Sequence, residues 1–219
     1  MGNNATTTMA QDNSPGSLNI YIGPMYAGKT SKLIEIYEEC LSNDEHVTVL
    51  THSAEIRYSI DKLSTHDQNK ISCFKYDNIK TFVDIQKESI KTTDVILIDE
   101  SQFFGDLYEQ VLPLVNVLHK RVYIFGLDGD FQRNKFGQIL DLIPHCDSVH
   151  KLHSICAGCG EPAIFSHRTN NSSEQILVGS DTIYQPLCRS CYNSNSNSNS
   201  NSNSNSNSNS NSNSNSKRN

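Results

Sequence analysis

Near the start of the chain, Gly23-Pro24-Met25-Tyr26-Ala27-Gly28-Lys29-Thr30 has the form Gly-x-x-x-x-Gly-Lys-Thr, the spacing of a phosphate-binding loop. The glycines let backbone N–H groups turn inward around phosphate oxygens, and the positive end of a following helix adds to them. Lys29 would reach the outer phosphates and Thr30 would offer its hydroxyl to Mg²⁺. Further on, the apolar run Val95-Ile96-Leu97-Ile98 ends in Asp99-Glu100. Carboxylates at the C-terminal end of a central strand lie where ligands bind in such sheets. Asp99 there would hold Mg²⁺ through water, while Glu100 could take a proton from an attacking hydroxyl or water. The strand carrying them is expected directly beside the strand that leads into the phosphate loop.

Four of the seven cysteines form two pairs, Cys156-Ala157-Gly158-Cys159 and Cys188-Arg189-Ser190-Cys191. Four thiolates in two knuckles suit a tetrahedral structural Zn²⁺; a redox pair or free thiols are the alternatives. The 28 residues between the pairs exceed the usual ribbon spacing, so the metal would close a long loop. Cys40, Cys73 and Cys146 read as small apolar residues. No Lys or Arg precedes Lys29, and no apolar run approaches the roughly 18 to 20 residues that cross a bilayer. A cytoplasmic, reducing compartment is therefore expected, where metal thiolates are favoured over disulfides. Gly2 followed by Thr6 fits the loose myristoylation pattern, but one acyl chain without a basic cluster anchors poorly.

These residues need elements to position them. Residues 1–17, rich in Asn, Thr and Ser, read as a flexible leader. Leu18 to Ile22 reads as a strand leading into the loop, and Leu33, Ile34, Tyr37 and Leu41 recur at helical spacing over Lys29 to Leu41. Val47 to Leu50, Asp94 to Ile98 and Arg121 to Phe125 read as further strands, and Leu107 to Lys120 as a helix kinked at Pro113. Val111, Leu114, Val115 and Leu118 would share its buried face. Strands alternating with helices predict an α/β domain with a mostly parallel sheet over 18–150. A small cysteine module follows over 151–192, with Ala163–Arg168 and Gln175–Val178 as two strands around a turn at 170–173. Residues 193–216 alternate Asn and Ser and end in Lys217-Arg218-Asn219; such a tail cannot bury a core and is expected to be disordered.

Gly23 to Thr30, Asp99 to Phe104, Gly126-Leu127-Asp128-Gly129-Asp130-Phe131 with Phe136-Gly137, and the two knuckles with Tyr184 before the second together resemble the type II, cytosolic-type thymidine kinase family. The resemblance spans about Leu18 to Tyr192 and implies a P-loop NTPase-like α/β fold with a zinc-ribbon-like lasso. It also implies transfer of the ATP γ-phosphate to the 5′-hydroxyl of thymidine, and usually of deoxyuridine, in pyrimidine salvage. By position, Glu100 becomes the general base. Gly23, Pro24, Met25, Tyr26, Ala27, Gly28, Lys29 and Thr30, with Glu55, Ile56, Arg57, Asp99 and Gln102, become the Mg-ATP side. Met25, Phe103, Leu127, Phe131 and Tyr184 become the thymine pocket, and Gln175, Ile176, Leu177, Val178 and Gly179 the lasso backbone along the base edge. Cys156, Cys159, Cys188 and Cys191 become the zinc ligands. Homotetramers and inhibition by dTTP are usual in the family. Lys135 and Glu55 depart from it, standing where proline and aspartate are common.

Charge bears on the rivals. The formal net charge is −6, against a protein that coats nucleic acid. Within 151–192, Lys151, Arg168 and Arg189 only balance Glu161, Glu174 and Asp181, a weak field for a P-loop ATPase whose zinc module grips nucleic acid. A non-catalytic nucleotide sensor on the same fold is the other alternative; it has no need of Glu100 beside the acceptor.

Overall fold

The computed structural model describes residues 15–54, 62–64, 70–170, 172–176 and 183–195. In chain order come β1 (Ser17–Ile22), α1 (Lys29–Ser42), β2 (Val47–His52), a hairpin of β3 (Lys62–Ser64) and β4 (Lys70–Ser72), then β5 (Phe74–Tyr76), α2 (Ile79–Ile85) and α3 (Lys87–Thr92). β6 (Val95–Asp99), α4 (Leu107–Asn116), β7 (Arg121–Gly126) and β8 (Ser148–Lys151) follow. Six strands make one sheet in the order β5-β2-β6-β7-β1-β8, every neighbouring pair parallel.

Strand alternation divides the core between two faces. Ile96 and Ile98 of β6 join Leu18, Ile20 and Ile22 of β1 on the face covered by α2, α3 and α4. Val95 and Leu97 join Tyr21, Val49 and Phe125 on the other, against Leu33, Ile34, Ile36 and Cys40 of α1. Burying each such Leu, Ile or Phe contributes about 1.5–3 kcal/mol, and α1 contributes three of them, Leu33, Ile34 and Ile36, beside the smaller Cys40.

β7, not β6, is the neighbour of β1. Val122, Ile124 and Phe125 of β7 are fully buried, and a strand apolar on both faces takes an interior place with a partner on each side. α4 is shorter than the periodicity predicts. Leu114 and Val115 are buried, but the helix stops at Asn116, and Leu118 is 45% exposed. His119 adopts a left-handed conformation (φ 53) and lets Lys120 N–H reach back to Leu114 C=O at 2.9 Å, closing the helix end.

The cysteine module is two small hairpins, β9 (Ser154–Ile155) with β10 (Pro162–Ala163) and β11 (Phe165–Arg168) with β12 (Tyr184–Leu187). The partner of β11 is therefore β12, not 175–178. Tyr184 and Leu187 point inward and are buried, whereas Ile176 is half exposed, so burial favours the later segment. A helical turn over 189–195 takes in the first residues of the Asn-Ser run. The leader 1–14 and residues 196–219 lie outside the described residues. Among the described residues no helix is long and apolar enough to cross a membrane.

Candidate active site at the phosphate loop

The loop between β1 and α1 is fixed at both ends. A Cβ on Gly23 would meet the Leu152 carbonyl oxygen at 2.4 Å, so only glycine lets the chain pass the residue that follows β8. At the other end Gly28 is left-handed (φ 77), and no side chain caps α1, whose first turn carries no acid. The helix thus starts with its amide groups and positive dipole end turned toward the loop. The Lys29 ammonium lies across the ring, donating to the carbonyls of Pro24 at 2.7 Å and Gly23 at 3.1 Å.

Although a strand separates β6 from β1, the Thr30 hydroxyl reaches Asp99 Oδ2 at 3.2 Å. Asp99 is buried, and its Oδ1 accepts the Glu100 backbone N–H at 2.9 Å. A hydroxyl and a carboxylate so joined at a phosphate loop are a fitting pair for Mg²⁺. Glu100 itself is left-handed (φ 50), which turns its side chain out of the strand line at a small conformational cost. Gln102, in the 3₁₀ turn Ser101–Phe103, donates to Glu100 Oε2 at 2.6 Å and accepts the Leu127 N–H at 2.9 Å. It thereby links Glu100 to the loop after β7. Gly137 (φ 64) packs against Gln102, where a Cβ would sit 2.3 Å from the Gln102 carbonyl oxygen.

The cysteine module closes over this apparatus. The Met25 N–H donates to Ser166 Oγ of β11 at 2.9 Å, and the Tyr192 hydroxyl donates to the Phe131 carbonyl at 2.6 Å. Arg133 lies over the Tyr192 ring at 4.5 Å. Buried Asp130 accepts the backbone N–H groups of Gln132 and Asn134 at 2.9 Å each, and its Oδ2 takes Gln175 Nε2 at 2.9 Å. Arg168, 4% exposed, stacks on Phe131 at 3.8 Å and donates to Tyr184 Oη at 2.5 Å. It also donates to the carbonyls of Ser172 and Gln175, both at 3.1 Å, and of Glu174. Lys135 forms a two-armed ion pair with Asp141 at 2.8 and 2.9 Å, which anchors this loop.

Cys156, Cys159, Cys188 and Cys191 place their sulfurs within 4.8 Å of one another, with Cys159 and Cys188 at 3.6 Å. Zn–S bonds of about 2.3 Å in a tetrahedron need sulfurs roughly 3.8 Å apart, so the cluster fits a four-thiolate metal. Burial pushes the Cys156 thiol up, but the N–H groups of Cys188, Gly158 and Cys159 outweigh it and bring it down to about 6. Shared hydrogen bonds with Cys159, Cys188 and Cys156 push Cys191 up to about 12. Four sulfurs so close cannot all hold negative charge unaided, which is the condition a divalent cation relieves.

Of the residues expected in the site, the phosphate loop, Asp99, Glu100, Gln102, Phe103, Leu127, Phe131, Gln175 and Tyr184 are joined by these contacts and by chain adjacency. Ile176 points partly to solvent, at 51% exposed. Glu55, Ile56, Arg57, Leu177, Val178 and Gly179 lie outside the described residues. Ser166, Arg168, Asp130 and Tyr192 were not legible as site residues. Asp130 stands inside the Gly126–Phe131 segment that carries the resemblance but had no role assigned; no motif marks the other three, and only the Tyr–aromatic–Arg crowding of the module hints at a packed surface.

A family model described as thymidine kinase matches residues 16–192. "Thymidine kinase" of Oryza sativa subsp. japonica is 37% identical over 193 residues, covering 87% of this chain and 71% of the relative. "Thymidine kinase a" of Arabidopsis thaliana is 37% identical over 181 residues, covering 82% and 76%. "Thymidine kinase" of Bacteroides thetaiotaomicron is 36% identical over 177 residues, covering 81% and 87%. With a phosphate loop, strand-end carboxylates and a four-cysteine cluster in family order, the chain belongs to the thymidine kinase family.

Proposed function

We propose that this protein transfers the γ-phosphate of ATP to the 5′-hydroxyl of thymidine, and of deoxyuridine, giving the monophosphate and ADP. The observation that carries the reading is the Glu100 carboxylate, oriented by Gln102 at 2.6 Å and following directly on the Asp99–Thr30 pair. A base, a metal-binding pair and a phosphate cradle thus share one strand end and one helix start.

In this reading Glu100 takes the proton from the 5′-hydroxyl as that oxygen attacks the γ-phosphorus. Lys29 and the loop amides hold the donor phosphates, and Glu55, Ile56 and Arg57 add to the donor side. Asp99 and Thr30 would hold Mg²⁺, which when bound neutralises charge on the phosphate oxygens. Phe103, Leu127, Phe131, Met25 and Tyr184 pack the thymine ring, and the backbone of 175–179 reads its edge. Flat apolar faces with a rim of fixed amides suit a pyrimidine, and closure excludes water that would otherwise accept the phosphate. Zinc on the four cysteines would hold the base of that loop. By family likeness we also propose a homotetramer inhibited by dTTP and a cytoplasmic location, with no nucleic-acid partner.

The test is a phosphate-transfer assay with Mg-ATP against thymidine, deoxyuridine, deoxycytidine, deoxyadenosine and thymidine monophosphate. Product from thymidine and deoxyuridine alone is expected. Product only from thymidine monophosphate would move the reaction one phosphate along, and ATP binding without any acceptor would reopen the sensor or nucleic-acid readings.

A further inference from the structure

Arg168 is a guanidinium taken almost wholly out of water, and such a charge is costly to bury unless its donors are used. Among the described residues no carboxylate lies in ion-pair range of it. The acceptors of its two terminal nitrogens are neutral: the carbonyls of Ser172, Glu174 and Gln175, the Tyr184 hydroxyl, and for the plane of the group the face of Phe131, with Nε alone lacking a partner among the described residues. The three carbonyls lead into and begin the stretch 175–179 that is proposed to read the base edge. The two rings are proposed walls of the same pocket. One side chain therefore ties two walls to the backbone between them. A planar fork with donors in fixed directions can do this, whereas an ammonium with three donors on one nitrogen cannot.

We infer that Arg168 is the positioning residue of the nucleoside loop, setting the direction of the Ser172, Glu174 and Gln175 carbonyls. The inference rests on the thymidine kinase reading. It gives Arg168 no contact with the reacting atoms, so its loss should fall on thymidine binding and spare the chemical step and the ATP side.

The experiment uses the full chain as wild type, Arg168→Lys, Arg168→Met and Tyr184→Phe, with kinetics in both substrates, zinc content, and amide exchange over 172–176. For both Arg168 variants the thymidine KM is expected to rise about tenfold or more, with kcat and the ATP KM within about threefold. Exchange over 172–176 should quicken while zinc content stays unchanged. Arg168→Lys keeps the charge, so its failure to rescue the KM separates fork geometry from charge. An unchanged thymidine KM, rescue by Lys, or equal losses in kcat and both KM values would overturn the inference. Should the Arg168 variants not fold, Tyr184→Phe decides through amide exchange, which a direct contact of Tyr184 with the base would not move in the unliganded protein: faster exchange over 172–176 supports the inference and unchanged exchange overturns it. If wild type does not phosphorylate thymidine, the substrate reading falls, while slow exchange over 172–176 in wild type and fast exchange in Arg168→Lys would still support positioning.

Discussion

Glu100 combines a left-handed backbone with a short hydrogen bond from Gln102. Replacing it by glutamine keeps shape and partner and removes only the proton acceptor. Glu100→Gln should lower kcat by about 10² or more while ATP affinity, measured by calorimetry, stays near wild type; an unchanged rate would remove Glu100 as the base. At this scale the sequence is most informative where chemistry imposes a spacing. Lys29, Thr30, Asp99 and the four cysteines are recognisable because their motifs fix their neighbours. Ser166 and Arg168 are not, because their meaning lies in partners far along the chain: Ser166 meets Met25 across 141 positions. A lone serine or arginine in a short strand carries no mark of that.

Among the elements, the turn after β6 and the loop after β7 are held in register by Gly137 against Gln102. A methyl there would oppose a backbone oxygen at 2.3 Å in a left-handed residue, and neither can yield cheaply. Gly137→Ala should destabilise the fold by about 2 kcal/mol and lower kcat through Gln102, read by thermal unfolding and by the phosphate-transfer rate. In the module, removal of one sulfur leaves three ligands. Cys188→Ser, or treatment with a strong chelator, should release bound zinc and raise the thymidine KM more than the ATP KM; retained metal with normal kinetics would contradict the stapling role. Four strands of the parallel sheet, β1, β2, β6 and β7, were legible from their apolar and β-rich residues, whereas the edge strands β5 and β8 were not, being short, polar in sequence and only partly buried. β12 was not, because Gln185 and Pro186 interrupt it and proline argues against an ordinary strand. The end of α4 was also hidden, because nothing in Val117-Leu118-His119 announces a left-handed turn.

Across the whole molecule, the described contacts stop at Asn193 and Ser194, where Arg133 Nη1 donates to Asn193 and Ser194 Oγ donates to Ser190 C=O. The Asn-Ser residues beyond have no apolar surface to bury. Deleting 196–219 should therefore leave kcat, both KM values and the melting temperature unchanged, checked on the same preparation by kinetics and calorimetry; a loss of activity would give the tail a part in the fold.

The strand order has a consequence in time as well as space. β1 is synthesised first of the six strands, yet both its partners, β7 and β8, begin at Arg121 and Ser148. Closing so long a loop before any pairing is gained is entropically slow. At roughly 5–20 residues per second on the ribosome, the emerging β1 waits several seconds for its neighbours, and the phosphate loop waits longer still for Ser166. β1 and the phosphate loop are thus among the last parts of the sheet domain to reach their working shape. Until then the growing chain carries its nucleotide motif only as sequence.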